Sequence, residues 1–443
     1  MFKGTREQRG WYFFDWAVSA YSTTVGAVFL GPYLTSIAEA AAKDTGGMLF
    51  PFGPGLPIAA GSFYAYVTSL SVLLQVFFLP ILGAVADYTS LKRRMMGIFA
   101  YISTVAVIAM FFMQGTDYLF GGMLYLIANL TFGAANVLYN AFLPEIAAPD
   151  ERDAVSSRGY AFGYLGGGLL LILNLILFIM HDKFGIGGGL AVRICLASAG
   201  VWMAIFIPIT LTRLRANVAS KTLAQGQSVI GAGFRQLGET IRNARHYPQT
   251  LLFLGAYLLY NDGVQTVIAL SSTFGTQELG MESQTLIITI LMVQFVAWFG
   301  ALGFSAVAQR IGAKKAIMYS LVIWTALTFA TYFMTKGSVV QFLALGFGIA
   351  IVLGGSQALS RSLFAQMIPA GKESEYYSLY EVSERGTSWI GPLVFGLVYQ
   401  FTHSYRLALM MVAAFFVIGL AILFFVNVRK AIVEAGNEVP AVV

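Results

Sequence analysis

Apolar runs dominate the chain. They fall at 11–39, 58–82, 95–114, 119–143, 156–180, 191–211, 249–274, 284–308, 316–335, 339–367, 376–400 and 405–428, with mostly short polar links between them. Each reaches the ~20 residues a helix needs to cross a bilayer core. No stretch shows the ~10-residue alternation of a membrane barrel. Since backbone polar groups in lipid must be satisfied internally, the pattern predicts an all-α integral membrane protein with twelve transmembrane helices.

Composition agrees with that pattern. Of 443 residues, 58% are hydrophobic and 11% charged, against about 25% charged in soluble domains. After Lys3, Arg6 and Arg9, the run starting at Trp11 is too long for a signal-peptide core, so the first span is expected to persist. The net charge of +6 suggests nucleic acid until position is considered. Basic residues gather in alternate loops: Lys92 to Arg94, Arg213 to Arg245, Arg310 to Lys315, Lys372, and Arg429 with Lys430. That asymmetry is the positive-inside pattern. It predicts no nucleic-acid partner, both termini in the cytoplasm, and a multi-pass protein of the plasma (inner) membrane.

Chemistry of other kinds is not encoded. One cysteine, Cys195, cannot form an intramolecular disulfide, and His181, His246 and His403 are far apart, so no metal site is expected. Gly371-Lys372 lacks the Ser/Thr and the upstream glycine of a P-loop. With no nucleophile–base pair or cofactor loop, the chain reads as neither an enzyme nor a cofactor protein. It is expected to be a monomer in the lipid bilayer.

The longest polar segment divides the chain into a six-helix bundle (1–212), a cytoplasmic linker (213–248), a second six-helix bundle (249–430) and a tail (431–443). In the linker, Phe234, Leu237 and Ile241 recur at helical spacing, with Arg235, Arg242 and Arg245 on other faces, predicting a surface amphipathic helix. The halves echo each other, as transporter repeats do. GAANVLYNAF from Gly133 matches GGSQALSRSL from Gly354, pairing Asn136 with Gln357 and Asn140 with Arg361. After each comes a proline (Pro149, Pro369), then a span opening on Arg158-Gly159 or Arg385-Gly386.

Between the second and third spans lies GAVADYTSLKRR, carrying Gly83, Asp87, Lys92, Arg93 and Arg94. It resembles the loop joining helices 2 and 3 in the major facilitator superfamily. A decayed copy after span 8 has Ser305 and Gln309 at the key places and keeps Lys314 and Lys315. FDWAVSAYSTTV in span 1, SSRGYAFGYLGGG in span 5, YNDGVQT in span 7 and Trp389-Ile390-Gly391-Pro392 in span 11 resemble the Atg22/UMF1-type branch. Val18 stands where that branch usually has Asn, and Tyr88 and Ser90 replace the basic residue and glycine of the loop motif. The resemblance implies a secondary transporter with two pseudo-symmetric bundles (the MFS fold); fungal members are associated with amino-acid efflux from the vacuole.

Asp262 is the sharpest candidate for function. It lies about 14 residues into span 7, ~20 Å deep at 1.5 Å per residue. A charge at that depth costs on the order of 2.5–3.5 kcal/mol, so it must face water, meet a cation or hold a proton. Tyr260, Asn261, Gln265 and Thr266 surround it in sequence. The alternative is a structural carboxylate bonded to a helix broken at Gly263. Asp15 in span 1 is the second candidate, with Ser19, Ser22 and Thr23 forming a polar stripe. Asn129, Asn136 and Asn140 share a face of span 4, and Gln357 and Arg361 a face of span 10. Ser19, Thr23, Asn136, Asn140, Tyr260, Asn261, Gln265, Gln357 and Arg361 are expected to line a substrate cavity; the alternative for spans 4 and 10 is hydrogen bonding between helices. Tyr64, Thr68, Ser71 and Gln75 in span 2 are read as packing, and the glycines of span 5 from Gly159 to Gly168 as a helix-contact face. Arg361 needs an anion: a buried network with Glu381, Glu384 and Arg385 is expected, the alternatives being a substrate carboxylate or phosphate, or a solvated cluster.

These residues predict two bundles rocking about a central site, with protons moving through Asp262 and Asp15. A cytoplasmic latch is expected from Gly83, Asp87, Lys92, Arg93 and Arg94, with Asp87 facing a helix N-terminus and the cations facing Glu145 and its neighbours around Arg152. The solute is expected to be small and polar or amphipathic. A lipid or drug exporter, or a non-transporting accessory protein on the same fold, are the alternatives.

Overall fold

The computed structural model describes residues 4–50, 56–87, 91–140, 142–146, 152–215, 242, 246–367, 380, 389–437 and 439. Over these the chain is helical, apart from a two-residue hairpin pairing Met48–Leu49 (β1) antiparallel to Ile58–Ala59 (β2). Among the described residues nine helical stretches have the length and apolarity to cross a membrane. Ser283–Ala297 and Ile390–Thr402 are shorter apolar stretches. The chain divides into two compact units, Met1–Arg235 and Gln236–Val443.

In the first unit, α1 (Arg6–Ala20) opens with a capping box. Thr5 accepts from the Gln8 amide at 3.2 Å, and Gln8 accepts from the Thr5 amide at 3.0 Å. A π-helical segment (Tyr21–Phe29) joins it without a break to α2 (Leu30–Ala41). Then come α3 (Phe63–Asp87), α4 (Lys92–Ala109), α5 (Tyr118–Asn140), the short α6 (Leu143–Ile146), α7 (Arg152–Ile179) and α8 (Gly188–Arg213). The expected twelve-residue turn from Gly83 to Arg94 is therefore shorter. Gly83 to Asp87 close α3, and Lys92 to Arg94 open α4. Hydropathy marks where lipid ends, whereas a helix continues until its backbone is capped.

In the second unit, α9 (Pro248–Thr273) starts on proline, whose missing amide is harmless there, and ends in a π turn (Phe274–Glu278). It is followed by α10 (Ser283–Ile311), α11 (Ala313–Ala330), α12 (Val339–Gln366), α13 (Ile390–Thr402), α14 (Tyr405–Phe425) and α15 (Val428–Glu434). Most of the linker, including Phe234, Leu237, Ile241, Arg235 and Arg245, lies outside the described residues.

The packing within each unit rests on close helix approach. In the first, α1 lies along α7 and α8, α3 on α5, and α4 on α5 and α8. In the second, α10 packs on α12, α9 on α14, and α11 on α12 and α14. The glycines of α7 form the expected contact face: a side chain at Gly166 would run into the Trp16 carbonyl oxygen, and one at Gly167 would come 3.0 Å from the Ser19 carbonyl. Outward faces carry Phe77, Val105, Phe295, Val340 and Phe401, as lipid contact requires.

The duplication shows in how helix ends are satisfied. Arg93 Nη1, opening α4, donates to the Leu214 carbonyl at the end of α8 (2.7 Å), and Lys314 Nζ, opening α11, donates to the Phe424 and Val426 carbonyls at the end of α14 (2.8 and 2.7 Å). Reciprocally, Arg193 on α8 donates to the Phe111 carbonyl beyond α4 (3.3 Å), and Arg406 on α14 to the Tyr332 carbonyl beyond α11 (2.8 Å). The last carbonyls of a helix lack internal partners and carry its negative dipole end, so cations belong there. Gly166→Val should destabilise the first unit by about 1–3 kcal/mol through overpacking, lowering the thermal unfolding midpoint in detergent. An unchanged midpoint would mean that α1 and α7 do not meet this closely.

Candidate functional site

Asp262 is 1% exposed, in the middle of α9. The helix runs unbroken through Gly263, so the carboxylate is not bonded to a break there. Instead Gly263 admits the rings of α14, with Phe416 atoms 3.0 Å from where a side chain would begin. Asp262 Oδ2 accepts the amide of Gly391 at 2.9 Å, in the opening turn of α13. Its other oxygen, Oδ1, is buried without a hydrogen-bond partner. Thr266 donates to the Asp262 backbone carbonyl at 2.7 Å and does not reach that oxygen. Position 391 must be glycine: a methyl group there would collide with Thr266 Oγ1 and lie 3.0 Å from Asp262 Oδ1.

Around this carboxyl the second unit is tightly built. Tyr260 is buried, and its hydroxyl sits 2.6 Å from Ser360 Oγ on α12. Ser360 itself donates to the Ser356 carbonyl at 2.6 Å, so the phenol is the donor. Asn261 is buried, whereas Gln265 and Gln357 are half-buried. The α12 residue that reaches α9 here is thus Ser360. The Arg361 side chain, and Glu381, Glu384 and Arg385 entirely, lie outside the described residues.

In the first unit the Tyr139 hydroxyl donates to Asp15 Oδ2 at 2.7 Å. The Tyr139 ring stacks on Trp11 (4.3 Å between centroids) and on Phe14 (4.5 Å), and its carbonyl accepts the Trp11 indole N–H at 3.0 Å. Ser19 and Thr23 turn toward α7, with Thr23 Oγ1 donating to the Ser19 carbonyl at 2.9 Å. Asn136 and Asn140 are half-buried on α5. Asn129 on the same helix is held by α3: it donates to Ser71 at 2.7 Å, and its carbonyl accepts from Gln75 at 3.0 Å. The span-2 polar residues Ser71 and Gln75 therefore bind one helix to another.

At the loop motif, Lys92 Nζ pairs with Glu145 Oε1 at 2.7 Å, with the Lys92 side chain 4% exposed. Arg93 turns instead to the end of α8, and Arg94 is exposed. The side-chain placements of Gly83, Asp87 and Arg152 lie outside the description. Sequence reading missed Tyr139 and Gly391, although the first sits inside the repeated GAANVLYNAF and the second inside the span-11 fragment. Among the described residues no group of three or more His, Cys, Asp or Glu could hold a metal.

The profile of the family described as "Vacuole effluxer Atg22 like" matches residues 3–436. An uncharacterized MFS-type transporter of Bacillus subtilis (strain 168), YxiO, is 29% identical, covering 98% of this chain and 99% of its own length. Autophagy-related protein 22 of Saccharomyces cerevisiae (strain ATCC 204508 / S288c) is 25% identical, covering 98% and 94%. Among solved structures, the nucleoside transporter NupG superposes with a TM-score of 0.64 at 16% identity, covering 95% of this chain and 97% of that one. A D-xylose-proton symporter superposes with a TM-score of 0.65 at 12% identity, covering 95% and 96%. At these identities the superpositions show the fold alone. One expectation is corrected: the multi-pass topology stands, but a vacuole-effluxer family points to the vacuolar membrane rather than the plasma membrane. The chain belongs to the Atg22-like family of the major facilitator superfamily, and its role is transport across a membrane rather than catalysis.

Proposed function

We propose that this chain is a proton-coupled secondary transporter that exports a small polar or amphipathic solute, amino-acid or peptide-like, by alternating access through twelve helices in two bundles. The observation that carries the reading is Asp262, buried with one bare oxygen. An ionised carboxylate in such a place needs a proton or a cation as partner. The described residues place no cation beside it, which favours the proton. The family description as an effluxer supports the direction, and the association of its fungal members with amino-acid efflux supports the solute class. In the second unit, Gln265 and Gln357, half-buried on two helices, supply hydrogen-bonding capacity for a polar solute.

Asp15 takes a different part in this reading. Its Oδ2 accepts a phenol held by two stacked rings, which makes it an anchor between α1 and α5.

Proteoliposomes holding the purified protein should accumulate a radiolabelled amino-acid mixture when a pH gradient is imposed. Asp262→Asn should abolish that accumulation while leaving the unfolding midpoint near wild type. Undiminished gradient-driven accumulation in the variant would remove Asp262 from the coupling. For Asp15, Asp15→Asn and Tyr139→Phe should each cost about 1–2 kcal/mol, since the first makes the acceptor neutral and the second removes the donor. The double variant should cost little more than either single one; additive losses would show that the two side chains do not act through each other.

A further inference from the structure

We propose that Gly391 is the positioning residue through which the proton load of Asp262 is passed to α13, by the strength of a single hydrogen bond. The inference rests on the proton-coupled reading above and names the element that would respond. The Gly391 amide donates to Asp262 Oδ2 at 2.9 Å, a polar contact between the carboxyl and α13. The amide belongs to the opening turn of a helix, where backbone N–H groups look outside for acceptors and the dipole favours negative charge. An ionised carboxylate is therefore a strong acceptor for it, and a protonated one is an ordinary neutral acceptor. The bare Oδ1 is the oxygen on which a proton can sit without displacing any existing bond.

The surroundings leave this contact as the variable one. The titratable group nearest in sequence is the Tyr260 phenol on the same helix, already committed to Ser360 of α12. From α14, Phe415 and Phe416 pack on Gly263, and neither titrates. α13 presents glycine at the contact, with Pro392 next to it. α15 meets α9 only near its start, where the Asn427 amide bonds to Gln249. Among the described residues, then, Asp262 is the carboxyl at this crossing, and its protonation changes one bond between α9 and α13. The fit around Gly391 gives that change consequence: the helix is already so close that a methyl group would strike Thr266. A weaker bond lets α13 move away from α9. Loading a proton loosens the contact, and releasing it draws α13 back.

Hydrogen–deuterium exchange of the peptide from Trp389 to Thr402 tests this without knowledge of the solute. The full-length protein would be measured in detergent from about pH 5 to about pH 9, a range in which buried carboxyls are known to titrate. After correction for the intrinsic pH dependence of exchange, protection in the wild type should fall about five-fold toward acid. That factor is the ~1 kcal/mol by which a hydrogen bond to a charged group exceeds a neutral one. Asp262→Asn, which offers a neutral acceptor at every pH, should show the lower protection throughout. A wild type without pH response, or an Asp262→Asn variant that responds as the wild type does, overturns the proposal. Should Asp262→Asn fail to fold, the smaller Asp262→Ser, which likewise carries no titrating group, replaces it in the same comparison, with the same two outcomes. Because exchange and not transport is read, a missing response beside intact proton-driven transport removes only the contact. A clear response in a protein that shows no such transport removes only the coupling.

Discussion

At Asp15 and at Asp262 a glycine lets two helices of one unit meet closely, α1 with α7 and α9 with α13. Gly159, Gly163 and Gly166 of α7 receive Asp15, Ser19 and the Trp16 carbonyl of α1, and Gly391 of α13 receives Asp262 and Thr266 of α9. In lipid there is no hydrophobic drive to hold helices together, so packing and short polar contacts must do it. Such contacts form only where side chains are absent. The carboxylates sit at these crossings because a close backbone leaves room for a short acid and little for water.

The two units solve the resulting electrostatic problem differently. In the first, a phenol stacked on two rings donates to Asp15. In the second, the position matching Tyr139 in the repeat is Ser360, which accepts from Tyr260 and cannot serve Asp262. Asp262 is left with one backbone amide and one bare oxygen. The same duplication preserved features with no such tension: the cations that cap α8 and α14, and those that cap the ends beyond α4 and α11, recur in both units.

Much of the fold was legible because membrane insertion writes itself into composition. Apolar runs long enough to cross a bilayer, small residues at helical spacing in span 5 and the alternation of basic loops all read directly from the chain. Helix ends were less legible: α3 extends to Asp87, past the point where hydropathy falls, because helix propensity, high for Ala84 and Ala86, does not follow hydropathy. At the site, Asp262 stood out because a carboxylate in a hydrophobic run is expensive. Tyr139 and Gly391 did not, because a tyrosine and a glycine are unremarkable in any span, and their importance lies wholly in what faces them.

By itself the sequence determined that the protein is helical and multi-pass, with acids within apolar runs that demand partners. Those are properties of local composition and of the energy of charge in lipid, and they need no neighbours to be read. Only the tertiary structure decided which partner each acid has: a phenol from α5 for Asp15, a backbone amide from α13 for Asp262. It also showed that Lys92 pairs with Glu145 while its neighbour Arg93 closes the end of α8. A hydrogen bond is a matter of ångströms and direction between residues more than a hundred positions apart, and no spacing along the chain specifies it.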